Sequence, residues 1–366
     1  MSSENKSQIL EKNSLNKIGS KTGLNNIKSK LILKRILDNI EKSKWLKVIK
    51  YNKTIQERLS LSTNDYKEYS EITSPIEIEL IPLENKYGKF MNILNEDDKP
   101  FYHIHFNGSS EEIKREQLFE NEKVQNILII ITHQVKSLSK LFENCKCIKS
   151  INIKKFLRKN INDMSRMFSG CSSLTQINLS KFKTDNVNNM CGMFAKCSSL
   201  EKLNLFKFMT DNVINMSCMF SGCSSLKIIN LFNFNTKKVT HMNGMFSGCE
   251  SLETINLSNF ETSNVINMKN MFYECKSLKK VELPNFNTIN VTDFSFMFAN
   301  CFSLTDLNLS HFKIDKVNNM DFMFSRCLLL KGLNLFKIDF KTTTIKFSLI
   351  FNHCPEQIQK KYLPKD

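Results

Sequence analysis

Residues 219–244 read MFSGCSSLKIINLFNFNTKKVTHMNG, and residues 245–270 follow directly as MFSGCESLETINLSNFETSNVINMKN. The second stretch matches the first column by column, 26 residues on. Working outward, Cys145, Cys171, Cys197, Cys223, Cys249, Cys275, Cys301 and Cys327 stand 26 residues apart, and Cys354 follows at 27. A phenylalanine lies three positions before each of them, from Phe142 to Phe351. Self-similarity at a period of about 20 to 50 residues marks a repeat architecture, since no unit buries its apolar face alone.

Two shorter periods lie inside the unit. In Ile229-Asn230-Leu231 the apolar residues point inward and Asn230 outward, the alternation of a short strand. Val187, Met190, Met193, Phe194 and Cys197 fall on one broad apolar face of a short helix. Thr184 or Asp185 would cap it. Each repeat is therefore expected to run strand, turn, helix, turn. The predicted class is α/β: a solenoid over residues 137–354, with its strands in one parallel sheet and its helices on the convex side. Residues 355–366 are left as a C-terminal tail.

The nine column thiols sit beside phenylalanine, where a small thiol packs as a hydrophobe, so free cysteines are expected. Cys147, Cys191 and Cys218 follow no paired spacing, and no zinc-site pattern occurs. The formal net charge of +16 favours acidic partners. Its lysines are spread widely and read as a solvated face, so neither nucleic acid nor membrane is expected as a partner. No window approaches the roughly 20 apolar residues of a membrane span. The opening MSSENKSQILEKNSLNKIGSK lacks the apolar stretch of a secretory signal, which predicts a cytoplasmic location.

Before the repeats, residues 1–28 read as a disordered lead. Residues 29–61 read as a helical hairpin, with Leu31, Leu33, Ile36, Leu37 and Ile40 on one face. Trp45, Leu46, Ile49, Ile55 and Leu59 mark the second face, and Glu41 to Lys44 the break between them. Residues 62–136 read as a small α/β cap. Ile76, Ile78 and Leu80 alternate with acidic residues, and Tyr102, Ile104 and Phe106 alternate with polar ones, as half-buried strands do. Ser109 and Glu112 form a capping box that would open a helix through Leu118. The apolar run Ile127 to Ile131 predicts a buried parallel strand that feeds the repeat sheet.

The pattern MFxxCxSLxxxNLxxFxTxxVxxM, met almost fully at 193–216, 219–242 and 245–268, resembles the BspA-like leucine-rich repeat. Leu174, Leu200, Leu226, Leu252, Leu278 and Leu304 fill its leucine column. Thr184, Thr210, Thr236, Thr262 and Thr288 fill its threonine column. The resemblance implies a leucine-rich-repeat-like solenoid used for protein or cell-surface binding, without catalytic residues. Surface members of that family are exported, which makes a cell-surface adhesin the rival to an intracellular scaffold. At Ile338, Ile345 and Phe347 the last repeat decays, as a terminal cap does. Residues 29–60 resemble an F-box through Leu33, Ile36, Leu37, Trp45, Leu46, Val48 and Ile49, without its usual Leu-Pro opening. That resemblance implies docking to a ubiquitin-ligase subunit.

The outward side of the predicted sheet is the candidate site, with an unidentified protein as partner. Its central column is Asn152, Asn178, Asn204, Asn230, Asn256, Glu282, Asn308 and Asn334. Those asparagines read as a ladder of stacked amides or as a polar floor for a partner. Ser180, Phe206, Phe232, Ser258, Pro284, Ser310 and Phe336 form the neighbouring column. Phe206 and Phe232 either stand exposed side by side, as anchors, or fold beneath the next loop. The other flank, Gln176, Lys202, Ile228, Thr254, Lys280 and Asp306, varies freely. His103 and His105 share a strand face but lack a third ligand. Without a phosphate loop, nucleophile elbow or carboxylate pair, no enzyme, cofactor or metal is assigned.

Overall fold

A computed structural model describes residues 24, 27–38, 45–46, 49–50, 52–132, 135–336 and 349–363. They divide between two units, Met1–Ser74 and Pro75–Asp366. The first holds helices α1 (Lys30–Asp38), α2 (Lys53–Leu59) and α3 (Thr63–Thr73). Asn52 opens α2 by accepting the Ile55 N–H at 3.1 Å. Leu33, Leu37, Ile49 and Ile55 form a small core. Helical geometry puts Leu33 and Leu37 on one side, four apart. Leu31 and Ile36 do not join them: they are 62% and 38% exposed, so the single face read from sequence is split. Most of the lead 1–28, the break at 41–44, and Ile40 and Val48 lie outside the described residues.

In the second unit β1 (Ile76–Pro82) buries Ile76, Ile78 and Leu80, the alternation read from the sequence. The short strands β2 (Gly88–Lys89) and β4 (Gln117–Leu118) pair with each other. Between β1 and β3 (Tyr102–Phe106) lies β5 (Ile127–Ile131), antiparallel to both and not parallel as expected. Its run is apolar throughout because Ile127, Ile129 and Ile131 are buried and Leu128 and Ile130 half-buried. β1, not β5, leads into the repeats: its other edge pairs antiparallel with β6 (Ile148–Lys155). The predicted helix after Ser109 does not form. Glu112 reaches His103 at 2.9 Å instead of the Ser109 amide, and the Ile113 N–H bonds Ile104 O at 2.8 Å.

The repeats follow with β7 (Gln176–Asn178), β8 (Lys202–Leu203), β9 (Ile228–Ile229), β10 (Thr254–Asn256), β11 (Lys280–Glu282), β12 (Asp306–Asn308) and β13 (Gly332–Asn334). Where neighbouring repeat strands pair they run parallel at a register of 26, as in Lys202 opposite Ile228. The expected single sheet is broken into pieces: β6 and β7 extend the first sheet, while β8–β9, β10–β11 and β12–β13 are separate pairs. Strands of two or three residues offer too few ladder bonds to hold one continuous sheet.

No described repeat residue is α-helical, which corrects the predicted strand–turn–helix unit. Val187, Met190, Met193, Phe194 and Cys197 are buried as the stripe required. Their backbone, however, turns left-handed at two places per repeat, four residues apart: Gly192 and Lys196 (φ 59° and 58°), then Cys218 and Gly222 (55° and 73°). Left-handed residues interrupt an α-helix. They also aim alternate N–H groups at the next repeat: Met164, Arg166, Phe168 and Gly170 donate to the carbonyls of Asn189, Cys191, Met193 and Ala195 at 2.7–3.1 Å. The glycine of the Ser-Gly-Cys motif follows from this. At Gly248, φ 70°, an added Cβ would lie 3.4 Å from the Gly222 backbone.

Stacked side chains tie the repeats together. Phe220, Phe246 and Phe272 stack with centroids 5.6 Å apart at each step. From Cys171 to Cys354 each column thiol donates to a phenylalanine carbonyl of the preceding repeat, as Cys223 Sγ does to Phe194 O at 3.1 Å. The buried threonines are not helix caps. Thr236 Oγ1 donates to Glu261 O and accepts the Glu261 N–H, both at 2.8 Å. Thr236→Val keeps the shape and strands both backbone groups, so a loss of about 1–3 kcal/mol is expected in urea unfolding. At the far end α4 (Glu356–Tyr362) occupies the segment read as a tail. Lys361 Nζ and the Tyr362 hydroxyl donate to Leu333 O, covering the last strand. Phe336, expected in the outward column, is buried in the core there. The decay at Ile338, Ile345 and Phe347 lies outside the described residues.

Candidate functional site

The pleat of β8 and β9 sorts the candidate residues. Leu203, Leu205, Ile229 and Leu231 are buried, and the residues between them face out. Phe206 is 57% exposed, Phe232 61% and Ile228 68%, which decides between the two sequence readings for exposure. The rings lie 6.2 Å apart and tilted by 42°, so one repeat presents its aromatic beside the next. Together with Lys202 they line a groove of about 380 Å³. The Lys207 ammonium stands 5.3 Å from the Phe206 ring centre, within cation–π range. Asn233 Nδ2 donates to Phe206 O at 2.8 Å, and Asn259 Nδ2 to Phe232 O at 3.1 Å, fixing the backbone under each ring.

Beside the two readings of the asparagine column, ladder and polar floor, the structure gives it a local task. Asn204, Asn230 and Asn256 turn their Oδ1 atoms to the N–H two residues on, at Phe206 (3.1 Å), Phe232 (3.1 Å) and Ser258 (2.9 Å). These are Asx turns, which end each strand and swing the following side chain outward. A ladder link appears at Asn178 Nδ2 to Asn152 Oδ1, 3.0 Å. Sequence spacing placed the column correctly and missed its partner, because an Asx turn and a ladder need the same residue at the same interval.

Elsewhere on this face the chemistry is mixed. A wider groove of about 1110 Å³ beyond Lys280 brings Glu282, Asp306, His311 and Lys331 together. Lys280 pairs there with Glu282 at 2.8 Å. His105 Nδ1 lies 3.0 Å from Glu111 O, and His103 Nδ1 meets Glu112. Among the described residues no group of three or more His, Cys, Asp or Glu is placed to hold a metal. Burial pushes the column thiols up, to about 12 for Cys171, Cys223 and Cys275, which keeps them protonated and unreactive. Cys191 and Cys218, which follow no paired spacing, stand on adjacent repeats and are half-buried. No described helix is long and apolar enough to cross a membrane.

The model of the family described as "Mycoplasma protein of unknown function, DUF285" matches residues 136–254 and 226–335. No curated protein matches the chain. Among solved structures, a leucine-rich repeat protein of T. pallidum is similar at 19% identity and a TM-score of 0.33. That likeness covers 46% of this chain and 71% of the other.

Proposed function

The chain belongs to the family of Mycoplasma proteins of unknown function, DUF285, and on that footing we propose a non-enzymatic protein-binding scaffold working through the outward face of β8 and β9. In this reading the 26-residue units are BspA-type leucine-rich repeats stacked as a solenoid. One observation carries it: Phe206, Phe232 and Ile228 are exposed together on a backbone fixed by Asx turns and inter-repeat bonds. Exposed aromatics on a rigid base are the usual anchors of interfaces, because docking orders little that was free before. Asn204, Asn230 and Asn256 set the strand ends, while Lys202 and Ile228 flank the anchors. The twelve free cysteines suit a reducing compartment and support an intracellular site of action.

The Phe206→Ala/Phe232→Ala protein is expected to keep its melting temperature and to lose partner binding by about 100-fold. Partners purified from native cells with each form, identified by mass spectrometry, test this. An identical partner set for both forms would refute the assignment.

A second reading rests on α1. Leu31, Ile32 and Ile36 are exposed there, at 62%, 53% and 38%, within the stretch that resembles an F-box. In that reading residues 29–60 dock a ubiquitin-ligase subunit and the repeats choose the substrate. Leu31→Asp/Ile36→Asp should then lose ligase subunits from the purified set and keep the partners that depend on Phe206.

A further inference from the structure

We infer that the partner segment received by Phe206 and Phe232 is an extended acidic peptide carrying apolar side chains at alternate positions, an inference that rests on the docking reading above.

Charge distribution is the first ground. The outward positions of β7 to β10, and the first turn after each strand, carry Lys181, Lys202 and Lys207 and no carboxylate; Asp185 and Asp211 stand in the next turn along. Glu201 and Glu253, at the strand starts, are each held by a lysine of the following repeat, Lys227 at 3.0 Å and Lys279 at 2.7 Å. Carboxylates enter the outward columns only at Glu282 and Asp306, two and three repeats beyond Phe232. Lysine with no carboxylate beside it in the outward columns is therefore found in the repeats that hold or adjoin the aromatic pair, whereas Lys280 is matched by Glu282 at 2.8 Å. Lys207 sits at its edge, 5.3 Å from the Phe206 ring centre. A carboxylate beside an apolar anchor would meet that ammonium or Lys202. The net charge of +16 speeds encounter with such a segment.

Spacing is the second ground. In an extended chain, side chains on the same side recur every two residues, about 6.6 Å apart. The Phe206 and Phe232 rings are 6.2 Å apart. An extended segment crossing from one repeat to the next thus sets alternate side chains against successive rings. Residues on its other side are left to water and to the lysine rim. The groove of about 380 Å³ suits a few side chains, not a domain surface. Nucleic acid fits less well, because the apolar floor includes aliphatic Ile228 and a single lysine, Lys202, lines the groove.

A phage-displayed library of random dodecapeptides, panned on the full-length chain and on Phe206→Ala/Phe232→Ala, tests the inference. Peptides retained only by the unmodified chain should alternate Asp or Glu with Leu, Ile, Phe or Trp. One of them, synthesised with a fluorescent label, should bind Lys202→Glu/Lys207→Glu about tenfold more weakly. Retained peptides that are neutral or basic would overturn the acidic partner and leave the docking face standing. If no peptide depends on the two phenylalanines, both readings fall. Displacement of the labelled peptide by single-stranded DNA on the unmodified chain, but not by an uncharged oligomer, would also overturn it in favour of nucleic acid.

Discussion

Alkaline titration is expected to unfold the repeats steeply, with stability falling by several kcal/mol as the pH rises from about 9 to about 10. The cause is the thiol column. Burial lifts Cys171, Cys223 and Cys275 to about 12 and raises Cys197, Cys249, Cys301 and Cys327 well above the ordinary 9.0. Each S–H is also donated to a phenylalanine carbonyl, as Cys249 donates to Phe220 O at 3.2 Å. A raised folded value means that the native chain keeps its protons when the unfolded chain has released them. Below pH 9.0 both states hold them and stability is whole; above it each thiol costs about 1.4 kcal/mol per pH unit. The seven thiols from Cys171 to Cys327 add to about 10 kcal/mol per unit, comparable with the whole stability of a domain. Urea midpoints followed by circular dichroism from neutral pH upward measure the slope. Cys197→Ala/Cys249→Ala should lower it by two protons. A midpoint that stays level to pH 10 would show that the thiols ionise in place.

The second large effect is Phe246→Ala, expected to cost about 3–5 kcal/mol. The ring is fully buried and stacks on Phe220 and Phe272, so its removal opens a cavity between three repeats. Phe232→Ala removes the same atoms from an exposed position, 14 residues before Phe246, and should change stability by less than about 0.5 kcal/mol. The pair of urea curves separates core phenylalanine from surface phenylalanine within one repeat period. Because each repeat leans only on its neighbours, amide exchange in Phe246→Ala should speed up on both sides of the cavity and little beyond. Equal losses in the two variants would mean that Phe232 belongs to the core and cannot be an anchor.

The two kinds of phenylalanine show how far the sequence reached. The Phe-x-x-Cys interval fixed which side chains are buried, since only a stack of like units buries a column at every twenty-sixth residue. The pleat around Ile229-Asn230-Leu231 likewise fixed which residues face out. Phe206 and Phe232 needed the structure, because outward alternation does not say whether a following loop folds over the ring. Asn233 and Asn259, which hold the backbone beneath each ring, sit 27 residues after their partners and form no local motif.

Burial, repeat length and the outward column were thus properties of the sequence itself. The conformation of the Val-Met-Phe-Cys segment was not. Apolar residues spaced three and four apart bury one stripe equally well on a helix or on a ribbon of left- and right-handed turns. The choice was made by N–H groups that bond carbonyls 25 residues further on, as Phe220 bonds Met245 at 2.9 Å. Such bonds exist only once two repeats are stacked. The direction of β5 was decided in the same way, by β1 and β3 closing on its two edges, a choice that lies in no single stretch of chain.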